Sequence, residues 1–368
     1  MKNQKKASVL LFVMMIIFAS SAIVVAIAEY ASVALRTRAS SAKDFDLRYD
    51  AFSALNAAIA IQEEYSEIDE GIFSGAQGWN KPFAEKRISL PSGSDVEVEI
   101  IDESGKIPLR AVPTATLAKI LETLGLTERD ATEYADLISD WCDKNDSMLF
   151  SGAEYTEYDT GTTEPLNRPM ETFRELLYVK DANVAFFDER QRPTELYKKF
   201  TAIFSLEPFK KINLNAASED VLYTLMEAED KNYDTNLYLA LRGEIGSISD
   251  GITWCKNATD LYNRGVIEYP TNMTTFNAQL LKINITIKRG LAQYRMTAYY
   301  ANSTEYAQLL DGNQNSTSTE NSKNQNSQSR NSNRKATTSN KFENGVINSE
   351  SKSASKKGTF KIVKILAN

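Results

Sequence analysis

The chain has 368 residues, an apolar content ordinary for a folded protein, and 42 basic against 49 acidic residues, a net charge of −7. That length holds two domains with tails, and nothing in the mildly acidic balance suggests a nucleic-acid surface, which would need a basic stripe. There is no histidine, so no Ser-His-Asp or Cys-His catalytic arrangement can form and imidazole zinc sites are excluded, while a hard cation held by oxygens is not. The two cysteines, Cys142 and Cys255, lie 113 residues apart and make no CxxC motif. They could pair in an oxidising compartment; two unpaired thiols is the other reading.

The chain opens with Lys2, Lys5 and Lys6, followed by 21 uncharged residues from Ser8 to Ala28. As a helix this run matches the roughly 30 Å hydrocarbon thickness of a bilayer, and it is longer than the apolar core of a cleaved signal. The lysines place its start in the cytoplasm. Phe45, Tyr49, Phe52, Leu55 and Ile59 then recur at spacings of three and four, which predicts an amphipathic continuation with that face packed on a soluble domain. Pro and Gly are absent from Met1 to Glu70. One helix from Ser8 to about Tyr65 would be roughly 87 Å long.

A basic leader, the stretch "KKASVLLF" and one long helix resemble the pilins and pseudopilins. The resemblance implies that a prepilin peptidase cuts between Ala7 and Ser8, with Ala7 where the family has glycine. It also implies a glutamate at the fifth mature position, where this chain has Phe12. Absence of that glutamate is typical of the protein K family, the large minor pseudopilin of type II secretion. The motifs "IDESGKIPL", "DWCDKND", "GAEY", "LNRPM" and "INLNAAS" follow in that family's order.

After the long helix, "KRISLPSGSDVEVEIIDESGK" reads as a β-hairpin, with Val96, Val98 and Ile100 alternating with Glu97 and Glu99 around a "PSGS" turn. From about Pro113 to Met226 helical spacing dominates, and Gly125 separates two helices. An internal echo joins "GKIPLRAVPTATLAKIL", from Gly105, to "KKINLNAASEDVLYTLM", from Lys210. Each is a short extended piece running into a helix, and in the second Ser218 is a good cap. The unit resembles the start of a helix-hairpin-helix module. DNA-binding versions follow with a glycine-rich hairpin that gives N–H groups to a phosphate. Here "EAEDKNYD" follows, with four acids and no glycine.

At the far end Leu291–Asn302 and Gly358–Asn368 read as strands. Between them Ala336 is the one apolar residue from Gly312 to Lys341, so the tract is expected to be disordered. The expected fold class is α+β: a pseudopilin fold of long N-terminal helix and antiparallel sheet, with a large, mostly α-helical insertion. The expected parts are a leader (1–7), a transmembrane helix (8–28), a periplasmic helix with first strands (29–104), the helical insertion (105–282), closing strands (283–303 and 358–368) and a disordered insertion (304–357).

Asp136 to Thr160 holds seven acids and one base. Counting from Asp143, oxygen-bearing residues fall where an EF-hand loop has ligands: Asn145, Ser147, the Leu149 carbonyl, Ser151 and Glu154. Met148 stands where such a loop has glycine. By spacing alone a solvated acidic loop and a metal site are equally open. The family resemblance implies calcium, held by Asp143, Asn145, Asp146, Glu154 and Asn167 of "LNRPM", with Asp140 close enough to help. It further implies a single-pass inner-membrane protein with its C-terminal domain in the periplasm. Its partners would be the minor pseudopilins I and J, the major pseudopilin and the prepilin peptidase, at a filament tip, with no nucleic acid and no enzymatic activity. A type IV pilus minor pilin and a membrane-anchored helix-hairpin-helix DNA-binding protein are the alternatives.

Overall fold

The computed structural model describes residues 2–83, 93–158, 165, 167–246, 251–290, 292–302, 306, 307, 309 and 360–367, with the backbone alone for 2–11, 36–45 and 302. In chain order these form α1 (Lys2–Ile68), β1 (Asp95–Asp102), β2 (Ile107–Pro108), α2 (Thr114–Thr123), α3 (Glu128–Cys142), α4 (Asn183–Phe186), α5 (Glu195–Ile203), β3 (Phe204–Ser205), β4 (Ile212–Asn213), α6 (Glu219–Ala228), α7 (Thr235–Arg242), α8 (Ala258–Asn263), β5 (Thr274–Thr275), β6 (Leu280–Arg289), β7 (Ala292–Asn302) and β8 (Phe360–Ala367). They divide into two compact units. One comprises Met1–Lys106, Lys211–Tyr300 and Ile362–Asn368; the other comprises Ile107–Lys210 and Ala301–Lys361.

In the first unit α1 runs unbroken for 67 residues, roughly 100 Å, as the absence of Pro and Gly allows. Its outer stretch, Phe12–Leu35, is wholly unburied with a mean hydropathy of 2.3. Its inner stretch buries Leu47, Ala51, Ala54, Leu55, Ala58 and Ile61. The alanines let the helix backbone come close to a four-stranded sheet ordered β1-β6-β7-β8. This face is not the predicted stripe. Leu55 is shared, but Tyr49 is 68% exposed, Phe52 and Ile59 are half-buried, and Phe45 lies where only the backbone is described. The sheet selected the small-residue face because close approach buries more area than large side chains held at a distance.

β1 pairs antiparallel with β6, with Val98 opposite Ile285 and Ile100 opposite Ile283. The predicted alternation holds: Val98 and Ile100 are buried, and Glu97 and Glu99 are exposed. The described partner of β1, β6, is far along the chain; residues 84–92, which would carry the other arm of the predicted hairpin, lie outside the described residues. Arg289, at the end of β6, ties the sheet to α1. It contacts Asp50 at 2.8 Å and Asp46 at 3.4 Å and donates to Ser94 Oγ at 2.9 Å, while Ser94 donates to Asp50 at 2.7 Å.

The "INLNAAS" motif joins β4 to α6 through two buried asparagines. Asn213 Nδ2 donates to the Phe73 carbonyl and to Asp102, both at 2.7 Å. Asn215 donates to the carbonyls of Cys255 and Phe276 and accepts from the Cys255 amide. β4 itself pairs in parallel with β5, and these side-chain amides add contacts beyond that two-residue ladder. Ser218 caps α6, accepting from the Val221 amide at 3.3 Å, as its position predicts.

In the second unit α2 and α3 form a helical hairpin, packing Leu117, Ile120 and Leu121 near Ala131, Ala135 and Ile138, all buried. Gly125, at φ 111°, makes the left-handed turn that ends α2. Phe186, Phe200 and Phe204 stack in sequence, with ring centroids 5.2 and 4.3 Å apart. The short β2 pairs in parallel with β3, so the echo motif begins in both units with a two-residue strand before a ten-residue helix. The tract expected to be disordered from Thr304 does not start so early. Tyr306 and Leu309 are buried; Tyr306 donates to Glu207 at 3.3 Å, and Leu309 lines a cavity of about 490 Å³ with Leu109, Met170 and Leu206. The remainder of that tract lies outside the described residues.

Gly105 supplies the tightest test of this packing. A Cβ there would stand 2.5 Å from the Ala216 carbonyl oxygen, and backbone cannot move aside as a side chain can. Gly105→Ala is expected to lower the unfolding free energy by about 1–3 kcal/mol, read by chemical denaturation of the purified protein.

Candidate functional site

The acidic loop is built from the last turn of α3. Asp136 and Asp140 are four apart on a helix, so both carboxylates fall on one face. Asp140 is fully buried and accepts the Leu149 amide at 3.1 and 3.3 Å. Asp136 accepts the Ser151 amide at 3.0 Å. The loop therefore folds back over the helix that precedes it. Gly152 permits this closure, because a Cβ there would collide with the Asp140 carboxylate.

Between these anchors the polar residues close short turns. Asp143 accepts the Asn145 amide at 3.2 Å and its side-chain amide at 2.7 Å. Asn145 Oδ1 accepts the Ser147 amide at 2.8 Å. Asp146 receives Asn167 Nδ2 at 3.0 Å, which joins the "LNRPM" motif to the loop. Asn167 adopts a left-handed backbone, φ 47°, a conformation asparagine tolerates better than most residues.

The loop is not an EF-hand. Met148 is 52% exposed and is not among the residues with positive φ, so the sharp turn made by glycine is missing. The element that follows is a three-residue 3₁₀ turn, Tyr155–Glu157, rather than an exiting α-helix. Among the described residues no three His, Cys, Asp or Glu side chains stand as a ready-made metal cluster, because Asp140, Asp143 and Asp146 are turned into the hydrogen bonds that close the loop.

Two groups of this loop are left without hydrogen-bond partners. Glu154 is 5% exposed, and neither of its carboxylate oxygens has a hydrogen-bond partner; the buried Oδ1 of Asn167 has none either. Unpartnered buried carboxylate oxygens are costly. Glu154 is pushed up to about 7, first by burial and then by the charges of Asp140, Asp143, Asp146 and Glu157. Asp140 is pushed up to about 6, chiefly by burial, against the help of the Leu149 amide. Asp143 is raised by burial as well. The donors are carboxylate and amide oxygens with no nitrogen or sulfur partner in the set, which suits a hard cation such as calcium.

Asp140, Asp143, Asn145 and Asp146 build the loop, and Glu154 and Asn167 turn unpartnered oxygens inward. The sequence reading missed Asp136 and Gly152; the four-residue spacing of Asp136 and Asp140 was the available signal. Ala7 and Ser8 lie within the backbone path of α1, and Phe12, in its unburied stretch, is 63% exposed. Cys142 and Cys255 are both free thiols, held up to about 12 and about 11, chiefly by burial.

A long helix, apolar at one end and packed on an antiparallel sheet at the other, defines an α+β fold. Residues 101–191, which contain α2, α3 and the acidic loop, match the model of the family described as type II secretion system (T2SS), protein K. That segment belongs to the protein K family. The chain is also similar to a chain in the crystal structure of the GspK-GspI-GspJ complex from the enterotoxigenic Escherichia coli Type 2 Secretion System. The identity is 17% and the TM-score 0.46, over 72% of this chain and 94% of that one. No curated protein matches.

The raised carboxyls set a pH dependence. Between 4.5 and about 7 folded Glu154 keeps a proton that the unfolded chain has lost, so raising the pH through that window removes stability. In EDTA the melting temperature is expected to fall from pH 5 to pH 7. Glu154→Gln should flatten the upper part of that fall, leaving the shares due to Asp140 and Asp102, both raised to about 6; circular dichroism melts at the two pH values read the difference.

Proposed function

We propose that this protein is the large minor pseudopilin of a type II secretion system. It would sit in the bacterial inner membrane through α1, with its folded domain in the periplasm, and form the pseudopilus tip with minor pseudopilins I and J above the major pseudopilin. The observation that carries the reading is the protein K match over residues 101–191 in a chain whose first helix has a 24-residue apolar stretch, Phe12–Leu35. Prepilin peptidase would cut between Ala7 and Ser8. Phe12 supports the tip position: a subunit with no neighbour ahead has no use for an intramembrane carboxylate, which is expensive in lipid. The work is assembly rather than chemistry.

The turn after α6 counts against the DNA-binding reading. Glu229 there accepts the backbone amides of Thr271 and Asn272 and pairs with Lys231 at 2.6 Å. The hairpin offers carboxylate where a phosphate-binding hairpin would offer N–H groups.

Calcium would be held by Glu154, Asn167, Asp143, Asn145 and Asp146, with Asp140 supporting the loop. Bound calcium supplies positive charge and coordination to oxygens that otherwise repel one another. Binding then adds to stability by linkage. At tenfold excess over its dissociation constant it contributes about 1.4 kcal/mol, a rise in melting temperature of roughly 2–4 °C. Calorimetry at millimolar calcium checks this, and Asp143→Ala with Glu154→Ala should abolish both the heat of binding and the shift.

Tagged full-length chain, co-expressed with I and J and extracted in mild detergent, should retain both. Loss of both from the wild-type complex would refute the tip assignment. Tyr49, on the flank of α1 that the sheet leaves uncovered, is 68% exposed and is available for partner helices. Tyr49→Ala should weaken the complex about tenfold while leaving the melting temperature of the chain alone unchanged.

A further inference from the structure

Phe150 is fully exposed, at 100%, and Met148 beside it is 52% exposed. A single exposed apolar residue is ordinary. This one is held out rather than merely left out. The residue before it is fixed by the Leu149 amide on buried Asp140, and the residue after it by the Ser151 amide on Asp136. The Gly152 amide closes the turn onto the Leu149 carbonyl at 3.1 Å. The backbone is thus pinned on both sides of Phe150 from one face of α3. A pinned aromatic at a loop tip loses little conformational freedom when it binds, which is what an interface anchor requires.

The surroundings select the occupant. From Asp136 to Glu157 there are six acids and one base, Lys144, and a bound divalent cation would leave the tip acidic. An anionic lipid surface would be repelled. A second copy meeting this loop face to face would bring like charges together. A protein surface with an apolar pocket bordered by positive charge would be attracted and correctly oriented.

We infer that Phe150, with Met148, is an anchor that docks into an apolar pocket bordered by lysine or arginine on a different protein. This goes beyond helix-mediated assembly and does not depend on it. In the test, the full-length chain carries the photoreactive p-benzoylphenylalanine in place of Phe150, in its own cells. A control carries it in place of Tyr178, 53% exposed in the same unit. After irradiation, position 150 should give one discrete protein adduct that position 178 does not give. Mass spectrometry should map it to apolar residues flanked by Lys or Arg. With that partner purified, Phe150→Ser in the full-length chain should weaken binding about tenfold with no change in melting temperature. The proposal is overturned by no adduct at position 150, by an adduct with a second copy or with lipid, by a mapped surface without basic residues, or by unchanged binding of the Phe150→Ser protein.

Discussion

One side-chain amide, that of Asn213, holds together stretches of the first unit that lie 140 and 111 residues away along the chain, at Phe73 and Asp102. The chain leaves this unit at Lys106 and returns at Lys211. The excursion between them carries Ile107–Lys210 of the second unit, including the acidic loop. Within the first unit, Asp102 with Gly105 and Asn213 with Ala216 bring these two points of the chain together. Asp102 is itself pushed up to about 6 by burial, in spite of the hydrogen bonds from Ser104 and Asn213. A buried carboxyl here is tolerated because its acceptors are used. The motifs "IDESG" and "INLNAAS", which carried much of the family resemblance, are thus two halves of one structural joint rather than parts of a binding site.

The acidic loop follows a different rule. Asp136 and Asp140 spend their charge on backbone amides, and that is what shapes the loop. Closing it brings Glu154 inward among four other acids without giving it a donor. The same hydrogen bonds hold Phe150 outward. One local arrangement produces both an inward-facing oxygen set and an outward-facing aromatic.

Long-range order was legible in the sequence wherever composition alone constrains the chain. The absence of Pro and Gly foretold the unbroken α1, the Val/Glu alternation foretold the buried and exposed faces of β1, and Ser218 and Gly125 act as the cap and the stop that they spell. The packed face of α1 was not legible. The predicted stripe followed the largest apolar residues, whereas the sheet took the alanines between them. Nor could spacing reveal that Asp136 and Gly152 shape the loop, because their roles exist only once the loop has folded back on α3.

By itself the sequence determined which segments are apolar, where helices start and stop, and that oxygen donors crowd into Asp140–Glu154. These are local properties, set by residue type and spacing. Only the tertiary structure decided which of these oxygens are already satisfied and which stay unpartnered. It also decided that β1 pairs with β6, that Tyr306 and Leu309 are buried, and that Phe150 faces solvent. Those outcomes depend on close approach between groups far apart in the chain, and burial, not spacing, makes an unpartnered oxygen or an exposed ring consequential.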